Sequence, residues 1–217
     1  MIGFWCKTME IHWHGMTAIR IETKTADTKA TLATDPYENE TGLRYPKTIE
    51  PEVVLFSSQD RKRFSLESFA NKPFLISEPG EYEVAGIFVR SIQDSGKTGD
   101  VDRPLIFRID AEEMSIAFIG AVARKLTDEE IEQLGAIDIL MLPVGGGGLM
   151  SAKDAQSVME TIEPRIVIPM GFALPGLKGA FDDVDMFLKL VGSSTKEREN
   201  KLKITQKDLP ADDLRVV

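Results

Sequence analysis

Residues 126–146 read LTDEEIEQLGAIDILMLPVGG and contain a complete passage from helix to strand. Thr127 followed by three acidic residues is typical of a helix N-cap with an acidic first turn, because carboxylates favour the positive end of a helix. Gly135 then ends the helix, since glycine readily adopts the backbone conformation found after helix C-termini. Residues 137–143 follow as a mostly apolar run ending in proline, which predicts a buried strand.

The same alternation of helix and strand continues toward the C-terminus. Ser151, with Asp154 at the third helical position, predicts a helix through Ile162, and Pro164 marks its end. Later elements are predicted as a buried strand at residues 165–170, a helix at 182–191 and a strand at 201–205.

The first half of the chain is rich in short β-type runs. Strands are predicted at residues 10–14, 17–22, 30–34, 52–57, 82–84, 87–92, 105–109 and 115–119. A polar, glycine-containing stretch at residues 94–103 predicts a surface hairpin loop. A β-rich half followed by β-α-β units favours two packed sheets flanked by helices, in one α/β domain spanning residues 1–217.

Composition limits the classes of function. Of the 217 residues, 42% are hydrophobic and 28% are charged, which is typical of a globular domain. The net charge of −9 argues against a nucleic-acid or anionic-membrane partner, because those partners need a basic surface. No apolar run is long enough to span a bilayer, and the N-terminus lacks a secretion signal. The lone Cys6 fits a reducing compartment, so a cytoplasmic location is expected.

Several segments in order resemble the metallo-β-lactamase superfamily, in particular its small bacterial branch of Zn-dependent hydrolase-like proteins. These are IHWHGMTAIRIE (11–22), ATLATDPY (30–37), GLRYP (42–46), EVVLFSSQD (52–60), ISEPGEYEVAGIFV (76–89), residues 126–146 and EPRIVIPM (163–170). The resemblance implies an αββα four-layer sandwich with metal-binding loops along one edge of the two sheets.

The positions that correspond to the family's metal ligands hold other residues here. Where relatives carry His-x-His-x-Asp-His, this chain has Ser58, Gln59, Asp60, Arg61, Lys62 and Arg63 in order. The expected bridging aspartate falls at Ala121, the last ligand histidine at Gly171, and the remaining histidine near Gln93. The vestigial site is therefore expected at Ser58, Asp60, Lys62, Arg63, Gln93, Ala121 and Gly171, with no zinc cofactor.

Basic residues near these positions raise the hypothesis of an anion site. Lys62, Arg63 and Arg124 could together bind phosphate or carboxylate, because arginine offers a planar fork of donors. The alternative is that they lie solvated or pair with Asp60 and Asp35. Asp35, which supports the metal loops in relatives, is expected here to bond backbone amides of residues 58–60.

His12 and His14 are the only histidines, and their spacing places both on one face of a strand. A weak metal site is conceivable only if Asp35 joins them, because catalytic zinc uses three protein ligands. In relatives the first strand supplies no primary ligand, so a structural role for both histidines is favoured.

The main functional expectation is a non-catalytic pseudo-hydrolase that serves as a binding or scaffold protein. Its partner is unknown, with a small anionic ligand or another protein as the alternatives. The competing hypotheses are an enzyme of altered chemistry, with Asp60 or Glu81 as acid–base, and a single-metal hydrolase that uses His12, His14 and Asp35.

Overall fold

Two β-sheets packed face to face form the centre of the protein. The computed structural model describes residues 7–24, 29–58, 60, 64–65, 69–96, 103–193, 201–211 and 213–217. One apolar core fills the space between the sheets, with Ile11 and Leu32 contributed by the first sheet and Phe107 and Ile139 by the second. The expected two-sheet α/β architecture is confirmed.

The first sheet contains six strands. They are β1 (Met9–Trp13), β2 (Ile19–Lys24), β3 (Lys29–Thr34), β4 (Val53–Leu55), β5 (Phe74–Ile76) and β12 (Lys201–Ile204), in the spatial order β12-β1-β2-β3-β4-β5. Strands β3, β4 and β5 run parallel, and the other neighbours are antiparallel. Because side chains alternate along a strand, Ile11 and Ile21 face the core while His12 and Arg20 lie on the outer face.

The second sheet contains seven strands. They are β6 (Gly80–Val84), β7 (Ile87–Gln93), β8 (Leu105–Ala111), β9 (Met114–Ile119), β10 (Ile139–Pro143), β11 (Ile166–Met170) and β13 (Arg215–Val216), in the order β13-β11-β10-β9-β8-β7-β6. Strands β9, β10, β11 and β13 run parallel, so their carboxyl ends share one edge of the sheet.

Three α-helices form where the sequence provides caps. They are α1 (Asp128–Leu134), α2 (Ala152–Ile162) and α3 (Val184–Leu190). The Thr127 hydroxyl accepts from the Glu130 amide while the Glu130 carboxylate accepts from the Thr127 amide, which completes a capping box. Ser151 and Asp183 cap the other two helices through their side chains.

The outer faces of the two sheets are covered in different ways. All three described α-helices pack on the second sheet, in a cluster that includes Leu134, Val158 and Phe187. The outer face of the first sheet is covered by an aromatic cluster built largely from extended segments; its members are Ala18, Ala33, Tyr37, Tyr45, Ile49, Val54, Phe56 and Phe69. Within the described ranges, the layer over the first sheet is therefore not an α-helix.

Most predicted elements are present, with small differences at their ends. The strand predicted at residues 52–57 is shorter, since β4 spans only Val53–Leu55. Strands β5 and β13 were not predicted, since they are only three and two residues long. None of the helices formed by the described residues has the length and apolar character needed to cross a membrane.

Candidate functional site

Loops from the two sheets meet at one edge of the sandwich, beyond the carboxyl ends of β3, β4, β9, β10 and β11. The Leu105 amide at the start of β8 donates to the Ser57 carbonyl over 2.8 Å. The Gly171 amide after β11 donates to the Met16 carbonyl of the β1–β2 turn over 2.9 Å. These two bonds join the sheets directly at the edge where the resemblance places its metal-binding loops.

Asp35 is the carboxylate at the centre of this edge. It is 3% exposed and adopts a positive φ of 40°, which aspartate tolerates better than most residues. One oxygen accepts from the Ser57 amide at 2.8 Å; the other accepts from the Ser57 hydroxyl at 2.5 Å and the Thr17 hydroxyl at 2.8 Å. Burial raises the pKa of Asp35 to about 6, and the bonds from Ser57 and Thr17 limit the rise.

The partner of Asp35 differs slightly from the expectation. The sequence predicted bonds to backbone amides of residues 58–60, whereas the amide that donates belongs to Ser57. The Phe56 amide still donates to the Ile76 carbonyl of β5, so Ser57 is the first residue after β4 whose amide can bond Asp35. The predicted structural role of Asp35 therefore involves the neighbouring residue.

Gly120 packs directly against this carboxylate and its partner. A β-carbon on Gly120 would lie 2.1 Å from Ser57 Oγ and 2.9 Å from Asp35 Oδ2, so only glycine fits. Ala121, at the position where relatives are expected to carry a bridging aspartate, is half-buried and follows immediately. Asp35, Ser57 and Gly120 thus form a close-packed contact between the sheets.

Gly171 is also enclosed by neighbouring side chains. Its φ is +62°, and a β-carbon there would lie 2.8 Å from Leu149 Cδ1 and 3.0 Å from Pro143 Cβ. A side chain at this position would have to displace the end of β10 or the glycine-rich loop after it. The position expected to correspond to the last ligand histidine has no room for one in this packing.

Arg124 pairs with two carboxylates, and neither is a partner that the sequence suggested. Its guanidinium donates to Glu130 at 2.7 and 3.0 Å and also contacts Asp94. The sequence suggested Asp60 and Asp35 as partners of Arg124, and this expectation is corrected to Glu130 and Asp94. Glu130 is 1% exposed and is the third residue of α1, which places a buried carboxylate beside Arg124 that the linear sequence did not reveal. An anion at Arg124 would have to compete with both carboxylates.

His12 and His14 share one face, as predicted, but do not form a metal site with Asp35. Their rings stack with centroids 6.4 Å apart, and Asp35 is engaged by Ser57 and Thr17. Burial and the charge of Arg20 lower the pKa of both imidazoles, that of His14 to about 4. The described residues contain no group of three or more His, Cys, Asp or Glu side chains able to hold an ion, so His12, His14 and Asp35 are not brought together, and the metal content of the protein stays a prediction.

The other predicted site residues lie around the same edge or outside the described residues. Ser58 is buried, and its hydroxyl accepts from the amide of the partly exposed Asp60 at 3.1 Å. Gln93 lies at the end of β7, opposite Leu105 of β8. Gln59, Lys62 and Arg63 fall outside the described ranges, so the predicted convergence of Lys62 and Arg63 with Arg124 remains a prediction.

One feature near this edge was not predicted from the sequence. The loop after β3 encloses a cavity of about 580 Å³, lined by Asn39, Gly42, Leu43, Arg44, Tyr45 and Lys47. Two cations flank a tyrosine in the stretch LRYPK, which is the signal that could have indicated it. The sequence alone did not show that these side chains surround one space.

Comparison with known proteins gives a consistent family assignment. The profile of the "Beta-lactamase superfamily domain" family matches residues 10–171. A UPF0173 metal-dependent hydrolase of Pyrococcus abyssi is 38% identical over 66 residues, which are 30% of this chain and 28% of that protein. One from Pyrococcus horikoshii is 26% identical over 124 residues, 54% of this chain and 53% of that protein. The matches thus span about a quarter to a half of these archaeal relatives, whose source does not support the expected bacterial branch.

Solved structures show the same fold. A candidate Zn-dependent hydrolase of the metallo-β-lactamase superfamily from Thermotoga maritima superposes with a TM-score of 0.76 at 24% identity, covering 96% of each chain. Igni18, a metallo hydrolase from Ignicoccus hospitalis, has a TM-score of 0.66 at 16% identity, covering 91% of this chain and 98% of that one. At these identities the likeness concerns the fold alone.

Proposed function

Because this chain belongs to the metallo-β-lactamase superfamily, we propose that it uses the family's fold as a non-catalytic binding or scaffold protein, a pseudo-hydrolase without a zinc centre. The relatives that it matches are named metal-dependent hydrolases, so hydrolysis is the activity against which the proposal is tested. Fold does not determine activity, so the proposal depends on the residues at the edge of the sandwich.

The donor set is the observation that carries the proposal. Catalytic zinc takes three protein ligands from Cys, His and carboxylates and keeps one open position. The described residues offer no such group, and both histidines of the chain lie on the outer face of the first sheet. The described residues at the edge therefore support a site without a catalytic zinc ion.

The packing at the edge gives independent support. Gly120 touches Ser57 and Asp35, and Gly171 is enclosed by Leu149 and Pro143. In these places direct side-chain contact fills the region that metal loops would border in relatives. Asp35 bonds three donors of the protein itself, which makes it a structural carboxylate in this arrangement.

An assay of hydrolysis tests the proposal. Purified protein supplied with zinc should hydrolyse a β-lactam, a phosphodiester and a thioester no faster than background, because no bound metal lowers the pKa of water to about 7. Zinc-dependent turnover would contradict the proposal. Turnover that survives a chelator and disappears in Asp60→Ala would support the alternative, a hydrolase of altered chemistry. The cytoplasmic location and the absence of a nucleic-acid partner remain predictions.

A further inference from the structure

The loop after β3 forms a cavity of a size that suits a small molecule. Its volume of about 580 Å³ lies within the range of about 300–1,000 Å³ typical of ligand sites. The lining comes from a short stretch of chain, residues 39–47, which begins four residues after Asp35. The cavity therefore belongs to the same side of the first sheet as the carboxyl end of β3.

The loop is held in a fixed shape by contacts on both sides. Residues 39–41 form a 3₁₀ turn, and the Gly42 amide donates to the Asn39 carbonyl at 3.0 Å. The Lys178 amide donates to the Thr41 carbonyl at 2.8 Å, which ties the loop to the segment that follows β11. Gly42, with φ +90°, approaches Gly176 so closely that a β-carbon would lie 2.1 Å from its carbonyl oxygen. A rigid loop lowers the entropic cost of binding a ligand.

The described residues that line the cavity include two cations, Arg44 and Lys47, and no carboxylate. Both side chains are exposed, and neither forms an ion pair with another described residue. This arrangement is unusual in a chain whose net charge is −9. Arginine and lysine side by side favour a ligand that carries an oxyanion, such as a phosphate or a carboxylate.

Tyr45 contributes the surface of its ring to the wall of this cavity. It is 5% exposed, and its buried hydroxyl has no hydrogen-bond partner. Its ring contacts His14 edge-on at a centroid distance of 5.9 Å, and the buried His14 Nε2 also has no partner. Because the hydroxyl oxygen is fully covered, only the ring of Tyr45 is available to a molecule in the cavity.

We propose that residues 39–47 bind a small molecule bearing an oxyanion, with Arg44 and Lys47 holding the anion. The apolar faces of Leu43 and Tyr45 provide contact for a non-polar part of the same molecule. This inference rests on the proposed binding function and names its ligand class. It differs from the anion site predicted at Lys62, Arg63 and Arg124.

Titration calorimetry at constant ionic strength tests this assignment, with inorganic phosphate, phenyl phosphate, acetate and benzoate as probes. At least one probe should bind, and Arg44→Ala and Lys47→Ala should each weaken it about tenfold, as expected for loss of a charge-assisted bond. The phosphate and carboxylate probes distinguish which oxyanion is preferred, and tighter binding of the aromatic probes would support the apolar contact.

Lys153→Ala is the matched control, because Lys153 is exposed on α2 away from the cavity. Lys153→Ala should leave the affinity for the probe unchanged. If it lowered the affinity as much as Arg44→Ala, the effect would come from the net charge of the protein, and the proposal would be overturned. Equal affinity in wild type and Arg44→Ala would overturn it as well, as would a loss confined to Arg63→Ala. The zinc content of the protein is measured separately. A failure to bind the anionic probes is therefore distinguishable from a failure of the proposed pseudo-hydrolase function.

Discussion

Replacing Asp35 by asparagine tests how the buried carboxylate supports the edge between the sheets. Burial raises the folded-state pKa of Asp35 to about 6, against an ordinary value of 3.8. Asparagine has nearly the same shape but does not titrate. Its carbonyl oxygen can still accept from the Ser57 amide, which keeps the connection between β3 and the chain after β4.

The sign and size of the effect follow from the two pKa values. The folded state holds its proton up to a higher pH than the unfolded state, so the stability that Asp35 contributes is fully present below about pH 4. It is lost as pH rises through about 6. Two pH units at about 1.4 kcal/mol each give a loss on the order of 3 kcal/mol. The free energy of unfolding of wild type minus that of Asp35→Asn should decrease by this amount between pH 4 and 7.

Urea unfolding at several pH values, followed by tryptophan fluorescence, measures this difference. Ser57→Ala provides a second variant, because loss of its hydroxyl donor should raise the pKa of Asp35 further and move the transition to higher pH. Parallel pH profiles for wild type and Asp35→Asn would refute the reasoning, since they would mean that Asp35 ionises equally well in both states.

Two further predictions concern contacts around the same edge. Gly120→Ala should lower the free energy of unfolding by about 3 kcal/mol or more in a urea denaturation assay, because the new β-carbon would overlap Ser57. Gly192→Ala is the control, since a β-carbon at Gly192 meets no atom within 4 Å. It should cost only about 1 kcal/mol, because Gly192 has a φ of +66°. Arg124→Met should lower the free energy of unfolding by about 1–3 kcal/mol, because it leaves the buried Glu130 without its cation. This value is smaller than for a fully buried ion pair, since Arg124 is one-third exposed and solvent screens its charge. The exposed neighbour in Lys125→Met should change stability by less than about 0.5 kcal/mol, and equal losses in both variants would contradict the buried-pair explanation.

Elements governed by local signals were predictable from the sequence. The bounds of α1 and α2 agree with the prediction because Thr127 and Ser151 cap helices through bonds within a few residues. Strand β5 was missed because three residues carry too little pattern, and its strand character comes from pairing with β4. The two-sheet architecture was accessible because it depends on the order of many such elements.

Contacts at the site depended on register and loop shape, which the sequence does not display directly. Asp35 was correctly predicted to support a neighbouring loop, but its partner is Ser57, a position set by where β4 ends. Arg124 was considered for anion binding because it falls near the positions of the family's metal ligands, whereas the helix cap at Thr127 places the Glu130 carboxylate beside it. The cavity at Tyr45 depends on how the loop folds back, so no linear motif specified it.

Zinc content tests the central proposal most directly. Protein purified without chelator, dialysed against zinc and then against metal-free buffer should retain clearly less than one equivalent by elemental analysis, because the described residues provide no three-ligand group. A double variant of His12→Ala and His14→Ala should give the same low value. One or more equivalents of tightly bound zinc per chain would contradict the account and would indicate a metal-dependent hydrolase.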